Sequence, residues 1–392
     1  MLTERIVSLS EKYYEEMVKI RHQIHMYPEV GYEEHKTSQL IYDTLEKLGI
    51  EYEKNIAKTG VVGIIRGRHP GKTVLLRADM DALLIQESDK YEYKSQRDGY
   101  MHACGHDGHV AGLLGAAMIL NEFKDEMHGN IKLLFQPDEE NTGGAKPMID
   151  EGVLKNPDVD AVFACHLWGP IKKGTIETKS GELMASRDTF KFKVIGKGGH
   201  GAVPHLAVDP ICIATQAINS MQTIISRKLN PVKPGILSFC TIHSGSSHNI
   251  IPGEVEVSGT IRAFHDDIRS WIPKEMENVL KGVTESQGAT YEFELIESYP
   301  VLVNDEDMTN LVISASSKIV GSENVKSNID LNTGSEDFAY YAKEVPSAFY
   351  FIGIAEDENN PVCHHHPDFG FNDDNLLVSA RTLAQIAVDF LQ

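Results

Sequence analysis

The chain has 392 residues, 41% of them hydrophobic, and a formal net charge of −20. This length exceeds what one hydrophobic core usually serves, so we expect two domains. The acidic balance argues against nucleic-acid binding, which needs basic patches, and no apolar run approaches the length of a membrane span.

In chain order, the outer parts of the sequence alternate amphipathic helices with short apolar strands. Apolar residues at helical spacing predict helices at residues 3–25, 34–48, 110–120 and 374–391. Apolar runs predict strands at residues 61–65, 74–76, 131–135, 161–165 and 348–352. This pattern predicts an α/β sheet, and polar clusters follow several strands at the edge where such sheets bind ligands.

The middle of the chain has a different rhythm. Its strands are predicted at residues 189–195, 236–242, 254–261 and 291–296, with helices at 209–228 and 267–282. The resulting order, β-α-β-β-α-β, is typical of a ferredoxin-like fold. We therefore predict an inserted domain at residues 186–298 and one α/β domain formed by residues 1–185 and 299–392.

A stretch rich in histidine carries most of the chemistry. Residues 101–110 read Met-His-Ala-Cys-Gly-His-Asp-Gly-His-Val, and further clusters after other strands add carboxylates and imidazoles, which are common metal ligands. The predicted ligands are Cys104, His106, Glu140, His166 and His365. Such a set suits two divalent metal ions, which lie roughly 3.5–4 Å apart in hydrolytic sites.

Two adjacent glutamates suggest a division of work. We predict that Glu140 binds metal, and a metal-bound carboxylate is not available for proton transfer. Its neighbour Glu139 can take a proton from water and hand it to a leaving group. The alternative is a pair of solvated acids in a loop. The preceding strand and the glycines at 143 and 144 favour the first interpretation.

Four other polar residues flank these ligands. Asp79 and Asp81 follow a strand aimed at the same edge, and they are either ligands or acceptors that orient a ligating histidine. We interpret His102 and His109 as structural residues rather than as ligands.

Six motifs in order along nearly the whole chain point to one family: Arg77-Ala-Asp-Met-Asp-Ala-Leu83, Met101-His-Ala-Cys-Gly-His-Asp-Gly-His109, Phe135-Gln-Pro-Asp-Glu-Glu140, Gly198-Gly-His200, Asn249-Ile-Ile-Pro252 and His365-His-Pro-Asp-Phe369. They resemble the M20 metallopeptidases, above all the amidohydrolase branch with hippurate hydrolases, N-acyl-amino-acid deacylases and plant auxin-conjugate hydrolases. The resemblance implies a zinc-peptidase-like catalytic domain, with a mixed sheet flanked by helices. It also implies an inserted α+β ferredoxin-like lid through which the protein forms a homodimer or a higher oligomer.

The resemblance also implies a reaction and residue roles. It implies hydrolysis of N-acyl amino acids with two divalent metal ions, for which Mn, Zn, Ni and Co are all suitable, and the same five metal ligands. Glu139 would be the general acid/base, and Asp81 would support the metal site. His200 resembles the lid histidine that stabilises the oxyanion, often in the partner's site, and Asn249 resembles a lid residue that contacts substrate. Arg262 either holds a substrate carboxylate or is a surface arginine.

The chain departs from the branch at two places. Pro137-Asp138-Glu139-Glu140 replaces the usual Pro-Ala-Glu-Glu, and the extra carboxylate could raise the pKa of the base or alter the preferred metal. Leu83-Leu84-Ile85 stands where the branch often has Leu-Pro, which affects the expected loop shape and not the chemistry.

Three other functions stay open. A dipeptidase or aminopeptidase could use the same scaffold. Cys104 could instead be a nucleophile paired with a histidine, which predicts sensitivity to alkylation and indifference to chelators. A small-molecule binding protein with an idle site would need no base beside its ligands.

Cysteine usage bears on location. The five cysteines are widely spaced without a CxxC pair, which is typical of a reducing compartment. The first residues lack the apolar stretch of a secretory signal. We therefore expect a cytoplasmic protein with a small-molecule substrate and no nucleic-acid or membrane partner.

Overall fold

A computed structural model describes residues 2–357 and 359–392. Its helices are α1 (Leu2–Met26), α2 (His35–Lys47), α3 (His106–Asn121), α4 (Ala145–Asp150), α5 (Pro210–Thr223), α6 (Asp266–Ser286), α7 (Glu306–Val320), α8 (Ala339–Glu344) and α9 (Asn375–Leu391). Its strands are β1 (Glu51–Ile56), β2 (Gly60–Arg66), β3 (His69–Asp79), β4 (His128–Gln136), β5 (Ala161–Lys172), β6 (Ile176–Glu177), β7 (Gly181–Met184), β8 (Asp188–Ile195), β9 (Gly199–His200), β10 (Gly235–His243), β11 (Ile250–Ile251), β12 (Glu254–Ala263), β13 (Thr290–Glu297), β14 (Leu302–Asn304), β15 (Val325–Lys326) and β16 (Ser347–Ala355). In this part of the chain, every helix is too short or too polar to cross a membrane.

The described residues fall into two compact units. Unit 1 comprises Met1–Gly181, Val303–Asp330 and Asp337–Gln392, and unit 2 comprises Glu182–Leu302 and Leu331–Glu336. The predicted boundaries at 185/186 and 298/299 lie close to these limits. Residues 331–336 also belong to unit 2, which the sequence analysis did not predict. The roles of the two units as catalytic domain and lid remain predictions.

Unit 1 is built on a mixed sheet with the strand order β1-β2-β4-β3-β5-β16-β6-β15. β4, β3, β5 and β16 are parallel at its centre, whereas β1 and β2 are antiparallel at one side. The central strands are almost continuously buried, as expected where helices cover both faces of a parallel sheet. The predicted fold class, a mixed sheet flanked by helices, is thus confirmed.

The parallel strands bring their carboxyl ends to the same edge. Asp79 at the end of β3 lies opposite Gln136 at the end of β4, and His166 pairs with Phe351 in β16. Near the same edge, α3 begins after Gly105, whose φ of 91° lies in the left-handed region that glycine adopts without strain.

Unit 2 has the predicted order of elements, β8-α5-β10-β12-α6-β13. Its strands form an antiparallel sheet in the order β10-β12-β8-β13, and apolar residues of sheet and helices share one core. The carboxylate of Asp209 accepts a hydrogen bond of 2.9 Å from the Ile211 N–H and so caps α5, as its position before Pro210 predicts.

A buried guanidinium in α1 connects this helix to two distant segments of unit 1. Arg21 is fully buried, and its Nε donates to the Asp107 carboxylate at 3.1 Å. Its Nη1 donates to the Phe371 carbonyl at 3.1 Å and to Asp373 at 2.5 Å. α1 therefore holds both the start of α3 and the segment that precedes α9.

Replacing Arg21 by Met should cost about 3–5 kcal/mol of folding free energy, because it leaves the buried Asp107 carboxylate without its guanidinium partner. Arg5→Met on the same helix is the matched control. The ion pair of Arg5 with Glu126 is 44% and 61% exposed and should contribute less than about 1 kcal/mol. Urea unfolding at neutral pH measures both losses. Equal losses for the two variants would contradict this role of Arg21.

His25 extends the same network. Its Nδ1 lies 2.9 Å from Asp107 and its Nε2 lies 3.1 Å from Glu87. Burial by itself would lower the pKa of His25, but the two carboxylates outweigh it and raise the pKa to about 9. The ring is therefore doubly protonated at neutral pH and donates from both nitrogens.

This raised pKa predicts how stability changes with pH. Because the pKa of His25 rises from 6.5 in the unfolded chain to about 9 when folded, its stabilisation is complete below pH 6.5 and is lost as the pH passes 9. The protonated His25 ring stabilises the folded state by on the order of 3 kcal/mol. We expect the difference in unfolding free energy between the wild type and His25→Gln to shrink over that range in urea titrations. A difference that stays constant from pH 6 to about 10 would disprove the assignment.

Candidate metal centre

Five side chains from four segments of the chain meet at the carboxyl edge of the unit 1 sheet. The donor atoms of Cys104, His106 and His166 lie within 4.8 Å of one another, and so do those of Cys104, Glu140 and His365. Cys104 belongs to both groups, so its sulfur lies between two sets of donors. The structure thus brings together all five residues that the sequence predicts as ligands.

The segment that carries His365 is attached to the cysteine loop. The His365 backbone N–H donates to the Ala103 carbonyl at 2.8 Å. Its Nε2 lies 3.2 Å from Oε1 of Glu140. The backbone of His365 has a φ of 58°, an unusual value for a residue with a Cβ atom, so these contacts hold it in a strained conformation.

Hydrogen bonds fix the protons of two histidine rings. Nδ1 of His106 lies 2.9 Å from the Asp81 carbonyl oxygen, and Nδ1 of His166 lies 2.9 Å from the Leu167 carbonyl oxygen. A carbonyl only accepts, so each Nδ1 carries a proton, and each Nε2 of the neutral ring has a free lone pair. Among the described residues, Nε2 of His106 has no hydrogen-bond partner, and Nε2 of His166 lies 3.5 Å from the Cys104 sulfur.

The other two histidines of the 101–110 stretch, His102 and His109, have different surroundings. Nδ1 of His109 faces the Asp79 carboxylate, and its Nε2 accepts from the Leu167 N–H at 2.9 Å, so neither nitrogen is left for a metal. His102 is buried, and burial lowers its pKa to about 3. Neither of its ring nitrogens has a hydrogen-bond partner within the described chain.

Asp81 organises the glutamate pair. Its carboxylate accepts the backbone N–H of Glu139 at 3.1 Å and that of Glu140 at 3.0 Å. One of its oxygens also lies 3.2 Å from Nδ1 of His106. Of the two roles left open for Asp81, ligand or orienting acceptor, the geometry matches the second.

Asp138, which stands where related sequences usually have alanine, hydrogen-bonds to residues of its own loop. Its carboxylate accepts from the Thr142 backbone N–H at 3.1 Å, from the Thr142 hydroxyl, and from Asn141 at 3.2 Å. Its φ is 52°, which aspartate tolerates better than most residues. The extra carboxylate therefore stabilises the turn that presents the two glutamates.

The charges of the site favour a cation. Burial alone would lower the pKa of His106, but Asp79, Asp81 and Glu140 raise it to about 10. Burial raises the pKa of the Cys104 thiol, and the carboxylates of Glu140, Glu139 and Asp79 raise it further. The carboxylates thus favour positive charge at Nε2 of His106, either as a proton or as a metal ion that displaces it. The mixed S, N and O donor set fits divalent metal ions.

Sequence reasoning missed a buried network behind the site. Arg77 donates to Asp79 at 2.7 Å and to Asp337 at 2.8 Å, and Asp337 also accepts from Gln136. The sequence carried a signal for this network, since Arg77 and Gln136 each directly follow an apolar run in a central strand. Sequence reasoning also assigned no role to His364. Its Nδ1 lies 3.7 Å from the Cys104 sulfur.

The three predicted substrate residues lie in unit 2. His200 pairs with Ile250 across β9 and β11, and both His200 and Asn249 line an open groove of about 1090 Å³. Arg262 lies elsewhere in this unit, half-buried in β12, and donates to the Ser335 hydroxyl at 3.0 Å. Their roles toward substrate remain predictions.

Comparison with known proteins agrees with this geometry. The chain is 42% identical to thermostable carboxypeptidase 1 of Saccharolobus solfataricus over 95% of each chain. It is also 42% identical to an N-acyl-L-amino acid amidohydrolase of Geobacillus stearothermophilus, over 78% of this chain and 83% of that one.

A solved structure extends the comparison to the fold. The YXEP protein of Bacillus subtilis, described as a dinuclear metal binding peptidase from the M20 family, superposes with a TM-score of 0.85. It is 33% identical and the match covers 97% of this chain and 99% of that one. The profile of peptidase family M20/M25/M40 matches residues 75–389. The chain therefore belongs to the peptidase family M20/M25/M40.

Proposed function

We propose that this protein hydrolyses the amide bond of N-acyl amino acids, releasing a free amino acid and a carboxylic acid. The observation that carries the proposal is the convergence of five donor side chains next to Glu139. The relative named as an N-acyl-L-amino acid amidohydrolase supports the same reaction.

Two divalent ions, of Mn, Zn, Ni or Co, fit the donor set. The residues that would hold them are Cys104, His106, Glu140, His166 and His365. Ions held there would supply Lewis acidity, which polarises a carbonyl and lowers the pKa of a water molecule. Nε2 of His106, which has no hydrogen-bond partner among the described residues, and the surrounding carboxylates prepare the site for such charge.

Glu139 serves as the general acid/base. It takes the proton of the attacking water and delivers it to the departing amine nitrogen, a role that commonly contributes about 10²–10⁴ in rate. Its carboxylate has an oxygen within 4.8 Å of donor atoms of His106 and Glu140. Asp81 acts through these neighbours, because it holds the backbone of both glutamates, and is a positioning residue.

Unit 2 supplies the substrate contacts in this proposal. His200 stabilises the oxyanion of the tetrahedral intermediate, a contribution often worth about 3–4 kcal/mol for one donor. Asn249 contacts the substrate, and Arg262 holds its carboxylate. A local cation is needed for an anionic substrate, because the net charge of −20 repels anions at long range.

The same unit, predicted at residues 186–298, would act as a lid and join two copies of the chain into a homodimer or higher oligomer. We also propose a cytoplasmic location, on the wide spacing of the cysteines in the sequence.

Peptide-bond hydrolysis is the second candidate, favoured by the relative named as a carboxypeptidase. The residues would act in the same way, since a dipeptide is itself an N-acyl amino acid. Cys104 as a nucleophile is less suited, because burial raises the pKa of its thiol and nucleophilic attack needs the thiolate. The ligand role does not meet this obstacle, because a coordinating metal ion would itself deprotonate the thiol.

Substitution of Glu139 should remove activity, whereas substitution of Glu140 should remove bound metal. Glu139→Gln should lower turnover of N-acetyl, N-benzoyl or dipeptide substrates by about 10²–10⁴ and leave the bound metal unchanged. Glu140→Gln should lower the metal content itself. Release of free amino acid and elemental analysis measure the two effects.

Chelation provides the control for this experiment. Activity of the wild type should stop with chelator and return with added Mn or Zn. Near-normal turnover of metal-loaded Glu139→Gln would overturn the assigned base, and activity that persists after complete metal removal would overturn the reaction class.

A further inference from the structure

We propose that His364 donates a hydrogen bond from Nδ1 to the sulfur of Cys104 and so positions this sulfur as a metal ligand. His364 is then a positioning residue that acts through Cys104. The inference rests on the metal site of the proposed function but not on the identity of the substrate.

The proton on the His364 ring is located by a backbone contact. The Gly169 N–H donates to Nε2 of His364 at 2.9 Å. A ring nitrogen that accepts a hydrogen bond carries no proton, so the single proton of the neutral ring is on Nδ1. A doubly protonated ring would place two N–H groups against each other at this contact.

That proton faces the cysteine. Nδ1 of His364 lies 3.7 Å from the Cys104 sulfur, a distance suited to the large sulfur acceptor. Two aromatic side chains pack against the ring. Its centroid lies 4.7 Å from that of Trp168 and 5.0 Å from that of Phe369.

The same argument excludes His364 as a ligand through Nδ1. Coordination would need the lone pair on Nδ1 and hence the proton on Nε2, where the Gly169 N–H already points. His166 has the opposite arrangement, since its Nδ1 donates to the Leu167 carbonyl and its Nε2 lone pair faces the same sulfur. One neighbour of Cys104 thus offers a lone pair and the other offers a proton.

An isosteric pair of variants tests this role. His364→Asn keeps an N–H near the position of Nδ1, whereas His364→Leu has the same size and no donor. His366→Leu is the matched control, because His366 is exposed on the same segment and contacts Asp368 instead. The full chain is stripped of metal with a chelator and titrated with Co²⁺, whose bond to a thiolate gives a near-ultraviolet charge-transfer band.

We expect His364→Leu to bind Co²⁺ about 10- to 100-fold more weakly, as is typical when a hydrogen-bond partner of a ligand is lost. Its charge-transfer band should move to lower energy, because the sulfur electrons are no longer stabilised by the N–H. His364→Asn should stay nearer the wild type in both readouts, and His366→Leu should match the wild type.

Several outcomes would overturn the proposal. They are an unchanged affinity and band in His364→Leu, equal losses in the Asn and Leu variants, and visible Co²⁺ bands that report a lost nitrogen ligand. Absence of a thiolate band in the wild type would do the same. If His364→Leu does not fold, His364→Phe keeps the aromatic packing without a donor and replaces it.

The test separates this inference from the proposed reaction. A wild type with the thiolate band and the predicted variant shifts, but without hydrolysis of any acyl amino acid, would support the role of His364 and refute the proposed substrate class.

Discussion

The candidate metal centre depends on where its histidine rings carry their protons. The backbone carbonyls of Asp81 and Leu167 accept hydrogen bonds from Nδ1 of His106 and His166, so in both rings Nε2 is the nitrogen left for the centre. His109, one helical turn from His106, has both nitrogens engaged and therefore cannot join them. Main-chain oxygens and amides thus decide which of several similar side chains can bind a metal, and the surrounding fold decides where those groups lie.

A second constraint is the placement of fixed positive charge. Arg21 and Arg77 are both buried, but each is paired with a carboxylate behind the ligands, Asp107 in one case and Asp79 in the other. These pairs hold the loops together without neutralising Glu140. Negative charge therefore stays concentrated where the donor atoms converge, and the unit gains rigidity from its ion pairs without losing its attraction for cations.

The central strands, the order of elements in unit 2 and the clustering of the five donor side chains could be predicted, because each rests on a local pattern. The patterns are a continuous apolar run, an alternation of periods and a group of polar residues after a strand. Arg21 and His364 could not. Their partners lie 86 and 260 positions away, and an arginine in an amphipathic helix usually indicates a solvated face. α7 is also absent from the predicted elements, since its apolar positions are interleaved with Ser and Thr. Segment 331–336 joins unit 2 only through tertiary contacts.

The separation of 260 positions between Cys104 and His364 has a consequence for biosynthesis. At about 5–20 residues per second, a ribosome reaches His364 roughly ten to fifty seconds after it has added Cys104. During that interval β3, β4 and β5 can already pair, so the nascent chain presents an incomplete pocket with an open side and an uncovered thiol. Only the arrival of the loop with His364 and His365 covers the Cys104 side of the site.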